Sequence, residues 1–287
     1  MAKSHKIKGI IKSTQKTAVI TKAMQVVSAS KLPNALSRYN HAKPYADLAH
    51  RVIQHYTELG SHPYFSQKQS VKSVGILLIS TDRGLCGSLN LQLFKKTLSE
   101  IIALKEQGID VKLSIIGQKG LAFFGKKHPV LSSAERLGDK PELKDLMQVI
   151  QPMLSAYDKG EIGSILVASN QFVNTLTQKA VLVPLLPLTL PEKTVKYTPD
   201  YHYESPQEEV VTKLISDYTE SIIYRAVIEN IACEQAARMM AMKNATDNAN
   251  DIIDDLNLTY NKIRQALITQ EIAEISAGAN QSEGENL

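Results

Sequence analysis

A stretch of about 70 residues, from Gln207 to Ala277, contains neither glycine nor proline, although the 287-residue chain holds 14 Gly and 11 Pro. Glycine and proline are the residues that interrupt helices most strongly, so this gap predicts one uninterrupted helix. At about 1.5 Å per residue, such a helix would extend roughly 105 Å. Because it would be far longer than a globular domain, it must pack against another element along its length.

The apolar residues of this predicted helix have the spacing of a coiled coil. They recur at alternating intervals of three and four residues, at Ile253, Leu256, Tyr260, Ile263 and Leu267. A second amphipathic helix is predicted from Lys3 to Lys31, where apolar and small residues recur at the same intervals. Pro33 lacks a backbone donor and predicts that this helix ends or kinks near Lys31. Helical character resumes from Tyr45 to Leu59.

The N-terminal segment is strongly basic. No Asp or Glu precedes Asp47, whereas nine basic residues do: Lys3, Lys6, Lys8, Lys12, Lys16, Lys22, Lys31, Arg38 and Lys43. The net charge of the whole chain is only +4, so positive charge is concentrated in the N-terminal segment. This asymmetry indicates either a surface that meets an acidic partner or a lysine face exposed to solvent.

Cysteine content and hydropathy limit the environment of the chain. Cys86 and Cys233 are too few for a disulfide framework and favour a reducing compartment. The longest apolar stretch, residues 180–191, is short and contains three prolines. It cannot span a bilayer as a helix, so membrane association is expected only through partners.

The middle of the chain alternates short apolar runs with helical segments. Strands are predicted at Val74–Ile79, Val111–Ile116 and Ile165–Ala168, and a less regular one within Leu176–Leu188. The intervening helices are predicted at 89–107, 117–124 and 143–157. This order predicts a Rossmann-like α/β domain with a mainly parallel sheet. The predicted division is therefore an N-terminal helical region at 1–59, an α/β domain at 72–195 and the long helix at 207–280.

The loop from Asp82 to Gly87 follows a strand and precedes a helix, where α/β folds bind phosphates. Its spacing matches neither the GxGxxG fingerprint nor a Walker loop, so we favour a tight turn that requires Gly84 and Gly87. Cys86 has no histidine nearby in sequence to support a nucleophilic role. The seven histidines lack metal-binding spacing, and neither a metal nor a cofactor is expected.

Five motifs occur in order along the chain. They are I-T-K-A-M at 20–24, S-T-D-R-G-L-C-G at 80–87, E-Q-A-A-R-M at 234–239 with A-M-K at 241–243, A-T-D-N at 245–248, and I-T-Q-E at 268–271 with G-A at 278–279. Together they closely resemble the gamma subunits of bacterial F-type ATP synthases. The resemblance runs essentially from end to end, and the C-terminal motif is highly specific to that family.

The resemblance implies the central-stalk rotor of a proton-translocating ATP synthase, with no catalytic activity of its own. The N- and C-terminal helices would form a long antiparallel coiled coil inside a ring of alternating alpha and beta subunits. The α/β domain would lie beside the epsilon subunit and on the c-ring. One copy per complex would couple proton flow to ATP synthesis at the beta subunits and would regulate ATPase activity and proton flow. The chain would be a peripheral membrane protein on the cytoplasmic face of the bacterial inner membrane.

The resemblance also implies two sets of contact residues. Those expected to face the alpha and beta subunits are Lys22, Met24, Arg238, Arg264, Gln265, Thr269 and Glu271. Those expected to face the epsilon subunit and the c-ring are Tyr201, Tyr203 and Glu204. The chain departs from the family pattern at Val19, where a basic residue usually stands, and at residues 32–34, where Leu-Pro-Asn replaces a Met-Arg-Lys type of sequence.

Two other functions follow from the residues alone. A nucleotide-binding α/β protein with a coiled-coil interaction arm would bind nucleotide saturably, and would lose that binding when Gly84 or Gly87 is changed. A coiled coil that binds nucleic acid through the basic N-terminus would show salt-dependent affinity for DNA. The second is disfavoured because no aromatic residues are interleaved with the lysines.

Overall fold

The computed structural model describes residues 2–55, 64–65, 73–188 and 207–284. These residues form five helices and five strands. In chain order they are α1 (Ala2–His55), β1 (Ser73–Ile79), α2 (Leu89–Glu106), β2 (Asp110–Ile116), α3 (Gln118–Phe124), β3 (Val130–Ala134), α4 (Leu143–Asp158), β4 (Ser164–Phe172), β5 (Gln178–Leu186) and α5 (Gln207–Gly284). None of the helices formed by the described residues is long and apolar enough to cross a bilayer.

The five strands form one sheet in the order β3-β2-β1-β4-β5. The first four are parallel, and β5 runs antiparallel to β4. Every residue of the central strand β1 is buried, as its continuous apolar run predicts. The predicted α/β fold with a mainly parallel sheet is therefore confirmed.

The two faces of the sheet are covered by different helices. Ile76 and Leu78 of β1 pack with residues of α2 and α3, whereas Leu77 and Ile79 pack with residues of α4 and with Ile223 of α5. Successive side chains of a strand point to opposite faces, so β1 contributes to both cores. Helix α5 is thus part of the core of this domain.

The edge strand β3 was not predicted, because its sequence lacks an apolar run. Its five residues alternate between half-buried and exposed positions. Ser132 lies on the inner side, where its hydroxyl is 2.7 Å from that of Ser114 on β2. Strand β4 also extends beyond the predicted Ala168, because its polar second half pairs with β5.

The prediction that the first helix ends near Lys31 is wrong, whereas the alternative of a kink there stays a prediction. Helix α1 continues through Pro33 and Pro44 to His55. An interior proline costs a helix about 3 kcal/mol or more. Leu32 and Ala35, on either side of Pro33, are buried, while Pro33 itself is exposed. Burial of these flanking side chains offsets the cost, and the proline ring lies on the outer side of the helix.

The chain divides into two units. The first consists of Met1–Val27 with Ala241–Leu287, and the second of Ser28–Met240. In the first unit, the five predicted coiled-coil positions of α5 are all half-buried, and their immediate neighbours are exposed. The Thr21 and Thr246 hydroxyl oxygens lie 2.7 Å apart and join α1 to α5. The predicted seam is therefore confirmed in this unit.

In the second unit, α1 and α5 run antiparallel. Ala42 lies beside Asp217 and Tyr224 in one groove. The Tyr39 hydroxyl lies beside the Arg225 and Glu229 side chains, and Ala35 shares a further groove with Ile231 and Gln235. The residue numbers on α5 rise as those on α1 fall, which is the order of an antiparallel pair.

Candidate functional site

The crevice expected to bind a ligand in this fold lies beyond the carboxyl ends of β1 and β4. In open α/β sheets, ligands bind where the strand order reverses. Here β1 is flanked by β2 and β4, so the reversal lies between β1 and β4. The loop 80–88, which connects β1 to α2, and the last residues of β4 border this crevice.

Helix α5 occupies the β4 side of this crevice. The Asn230 side chain accepts a hydrogen bond from Asn170 Nδ2 at 2.8 Å, and Glu229 Oε1 accepts one from the Phe172 backbone N–H at 2.9 Å. Cys233 Sγ lies 3.4 Å from the Asn170 carbonyl oxygen and donates to it. The polar groups at the end of β4 are therefore bonded by the chain's own helix.

On the β1 side, α5 reaches loop 80–88 through a hydrogen bond that Arg238 donates to the Gly84 carbonyl oxygen. Arg238 Nη2 lies 2.5 Å from Glu234 Oε1 and 3.3 Å from the Gly84 carbonyl oxygen. The two side chains are only 9% and 15% exposed. Burial raises the pKa of the Glu234 carboxyl, and the adjacent Arg238 guanidinium partly offsets that effect.

The two cysteines lie together between loop 80–88 and α5. Cys86, Leu89 and Cys233 form a small apolar cluster with Phe172 and Ala237. Burial raises the pKa of both thiols above the ordinary range. Since the thiolate is the reactive form, this environment favours packing over nucleophilic chemistry, as the sequence predicts for Cys86.

Amides near the start of α3, which could bind a phosphate, are bonded by side chains of the same domain. Asp82 Oδ1 accepts a hydrogen bond from the Gln118 backbone N–H at 3.0 Å, and Ser80 Oγ accepts one from the Gly120 N–H at 2.9 Å. A carboxylate thus stands where an anionic ligand would approach Gln118. Within the described residues, no group of three His, Cys, Asp or Glu side chains is arranged to hold a metal ion.

The turn in loop 80–88 requires only one of the two predicted glycines. Gly87 has a φ of 60°, which favours glycine, so that prediction is confirmed. A Cβ at Gly84 would meet the Lys119 side chain at an ordinary 3.6 Å, so the prediction that Gly84 is required is wrong. Leu85 adopts the left-handed conformation instead, with a φ of 64°.

Six of the residues assigned to the alpha and beta subunits lie in the first unit. Lys22, Arg264, Gln265, Thr269 and Glu271 are exposed, and Met24 is half-buried. Two of them make contacts within their own helix, because Lys22 Nζ donates to the Gln25 side chain and Thr269 Oγ1 donates to the Gln265 carbonyl. Their side chains are otherwise accessible to a partner.

The other assigned residues differ from these six. Arg238 belongs to the second unit, is buried and is bonded to Glu234 and to the Gly84 carbonyl. Tyr201, Tyr203 and Glu204 lie outside the described residues. Their predicted contacts with the epsilon subunit and the c-ring stay predictions.

The first unit also exposes apolar residues that the sequence did not assign to any contact. On α1 they are Ile10, Val19, Ile20, Val26 and Val27, and on α5 they are Ile252, Leu258, Ile268 and Ile272. The signal was present, because 19, 20, 26 and 27 form a second helical stripe beside the half-buried one. Lys6, Lys8, Lys12, Lys16 and Lys22 are also exposed, and no ion pair of theirs occurs within the described part of the chain.

A polar junction in the second unit also had no sequence signal. Asp139 accepts a hydrogen bond from Lys31 Nζ at 2.6 Å and another from Gln235 Nε2 at 3.4 Å. Arg38 donates to the backbone carbonyl of Asp139 at 2.9 Å. The loop after β3 thus contacts both α1 and α5.

Comparisons with known proteins agree with one another. A family model described as ATP synthase matches residues 3–281. A protein of Coxiella burnetii named ATP synthase gamma chain is 46% identical to this chain, and the match covers 97% of this chain and 99% of the relative. One of Legionella pneumophila with the same name is 45% identical with the same coverage.

Solved structures show the same fold. A chain of the Euglena gracilis mitochondrial ATP synthase OSCP/F1/c-ring assembly superimposes with a TM-score of 0.70 at 18% identity, covering 99% of this chain and 96% of that one. A chain of the central stalk and c-ring of the Tetrahymena thermophila enzyme gives 0.61 at 24% identity, covering 79% and 99%.

Proposed function

The chain belongs to the family of ATP synthase gamma chains, and from that premise we propose that it is the central-stalk rotor of a proton-translocating F-type ATP synthase. In this role it is non-catalytic. It couples proton flow through the membrane sector to ATP synthesis at the beta subunits and regulates ATPase activity and proton flow. One copy serves each complex.

The observation that best supports a coupling role is the dual use of α5. In the second unit, its residues fill the crevice where a Rossmann-like fold would bind a ligand. In the first unit, the same helix contributes one seam, which is buried at Met242, Thr246 and Ala249 and half-buried beyond them, and leaves most of its surface exposed. A helix that is anchored in one domain and exposed in another suits a part that transmits force to neighbouring subunits.

The proposed contacts with the alpha and beta subunits lie on the exposed surface of the first unit. Lys22, Met24, Arg264, Gln265, Thr269 and Glu271 supply polar and apolar groups there. The exposed lysines of α1 are suited to acidic loops of the beta subunits. Electrostatic contacts of this kind vary smoothly with distance, which suits a surface that turns against its surroundings.

The opposite end of the assembly involves the epsilon subunit and the c-ring, for which we propose Tyr201, Tyr203 and Glu204 as contacts. Membrane association then occurs only through these partners. The chain is thus a peripheral membrane protein on the cytoplasmic face of the bacterial inner membrane.

A nucleotide-binding function is the alternative, and the geometry of the crevice disfavours it. The Asp82 carboxylate bonds the amide at the start of α3, and a phosphate placed there would be repelled by it. The Arg238 guanidinium, which could otherwise neutralise a phosphate, is bonded to Glu234.

Reconstitution tests the proposal directly. Alpha and beta subunits are mixed with and without the full chain, and co-purification and ATP hydrolysis are measured. We expect a stable complex and stimulated hydrolysis only when the chain is present. If the chain neither co-purifies nor stimulates hydrolysis, and instead binds nucleotide saturably by itself, the alternative function replaces the rotor.

A further inference from the structure

Two ion pairs on α5 have the same spacing and opposite environments. Glu234 and Arg238 are four residues apart, and their side chains are 15% and 9% exposed with a separation of 2.5 Å. Lys213 and Asp217 are also four residues apart, but they are 79% and 36% exposed with a separation of 3.6 Å. An exposed pair contributes little to stability, whereas removing one member of a buried pair leaves an uncompensated charge. The buried pair therefore has the larger structural role.

The guanidinium of Arg238 is directed into its own domain. One nitrogen, Nη2, contacts both the Glu234 carboxylate and the Gly84 carbonyl oxygen. Gly84 lies in loop 80–88, 154 positions away from Arg238 in the sequence. A planar guanidinium with several donors is suited to joining a carboxylate and a backbone carbonyl at fixed angles. Glu234 thus orients Arg238 towards the loop.

We propose that Glu234 and Arg238 form an internal clasp that holds α5 to loop 80–88, and that Arg238 acts through this loop and not by touching a partner subunit. This inference rests on the proposed rotor function. Force that passes between the α/β domain and α5 acts on this clasp at the β1 side of the crevice. The hydrogen bonds that join Asn230 and Glu229 to β4 resist the same force at the β4 side of the crevice. Arg238 is accordingly a positioning residue for coupling.

A double-mutant comparison separates the clasp from a partner contact. The variants Glu234→Gln, Arg238→Met and the double variant are each assembled with the other subunits, and protons pumped per ATP hydrolysed are measured. If the clasp transmits force, each single change lowers this ratio by roughly threefold or more, and the double change lowers it no further. Arg238→Lys, which keeps the charge and one donor, restores part of the ratio. Asp217→Asn is the matched control and leaves it unchanged.

Hydrogen exchange of the full chain gives a second readout. Breaking the buried pair should speed amide exchange in the segments around loop 80–88 and residues 229–240 by roughly 100-fold. Asp217→Asn should leave both segments unchanged. If Arg238→Met prevents folding, Glu234→Gln and Arg238→Lys still provide both measurements.

The proposal is overturned if Arg238→Met lowers the pumping ratio while Glu234→Gln does not, or if their effects add and exchange at loop 80–88 is unchanged. Either result would show that Arg238 acts on a partner. Failure of the unmodified chain to assemble with alpha and beta subunits would instead contradict the rotor function. In that case the exchange experiment on the isolated chain still decides whether the clasp exists.

Discussion

Helix α5 has two environments, and their difference separates internal attachment from partner contact. Between Ile215 and Met240, in the second unit, residues on several sides of the helix are buried, including polar ones such as Asn230 and Gln235. Beyond Ala241, in the first unit, burial narrows towards a stripe with coiled-coil spacing. The same helix is therefore a core element in one unit and a largely exposed surface in the other.

In an isolated chain, the exposed apolar side chains of the first unit do not contribute to stability. Apolar side chains such as Val19 and Ile252, which are 71% and 51% exposed, gain nothing from burial until a partner covers them. Binding of a partner to the folded form would add stability by mass action. The second unit obtains its stability from its own core. Paired substitutions on the two parts of the molecule test this difference.

The largest loss of stability is expected when a side chain that α5 packs into the core is shortened. Ile223 is 1% exposed and belongs to the core shared with α4 and β1. Ile223→Ala should lower the free energy of unfolding by about 2–5 kcal/mol because it leaves a cavity. Denaturant unfolding of the isolated chain measures this change. Ile252→Ala is the matched control on the same helix, and a loss of similar size there would erase the contrast between the two units.

A smaller loss of stability is expected when the buried hydrogen bond between α5 and β4 is removed. Asn230→Ala removes the acceptor of the Asn170 amide, which is itself buried. An unsatisfied buried amide costs about 1–3 kcal/mol, and the same unfolding measurement should show a loss of that size. The control Asn250→Ala changes an exposed amide in the first unit. Equal losses in the two variants would mean that the Asn170–Asn230 bond contributes nothing specific.

Local patterns predicted the elements whose burial is periodic or continuous. The absence of Gly and Pro predicted α5, and the apolar runs predicted β1 and β2. Strand β3 was missed because its inward-facing Ser132 is only half-buried and is held by hydrogen bonds to its neighbours, which give no apolar signal. The break at Pro33 was predicted from backbone chemistry alone. Burial of Leu32 and Ala35 overrides it, and that packing is a property of the folded chain.

The crevice could not be predicted from local sequence at all. The bonds that fill it join residues about 60 to 150 positions apart, such as Phe172 with Glu229 and Gly84 with Arg238. The resemblance identified the motif that contains Arg238 and assigned the residue to a partner surface. Its burial and its two bonds arise because the fold brings loop 80–88 and α5 together.

The contribution of the buried Glu234–Arg238 pair to stability should depend on pH. Burial raises the pKa of Glu234 in the folded chain, so the folded state binds more protons than the unfolded state between the two pKa values. This carboxyl's contribution is therefore greatest below its unfolded pKa and is lost as pH rises through its folded pKa. Glu234→Gln should flatten that part of the curve of unfolding free energy against pH. Unchanged curvature would mean that Glu234 is effectively solvated.

The smallest effect on stability, and the most informative for the exposed surface, is expected at Val19. Val19→Ser changes a side chain that is 71% exposed, so the unfolding free energy of the isolated chain should change by no more than about 0.5 kcal/mol. If alpha and beta subunits cover the apolar stripe of α1, the same substitution should weaken their binding to the chain. Titration of the chain into alpha and beta subunits measures this. The control Val183→Ser alters an exposed valine of β5 in the second unit and should leave binding unchanged. Equal affinities for both variants and the parent would show that the stripe stays exposed in the complex, and that the polar residues of the first unit make the contact instead.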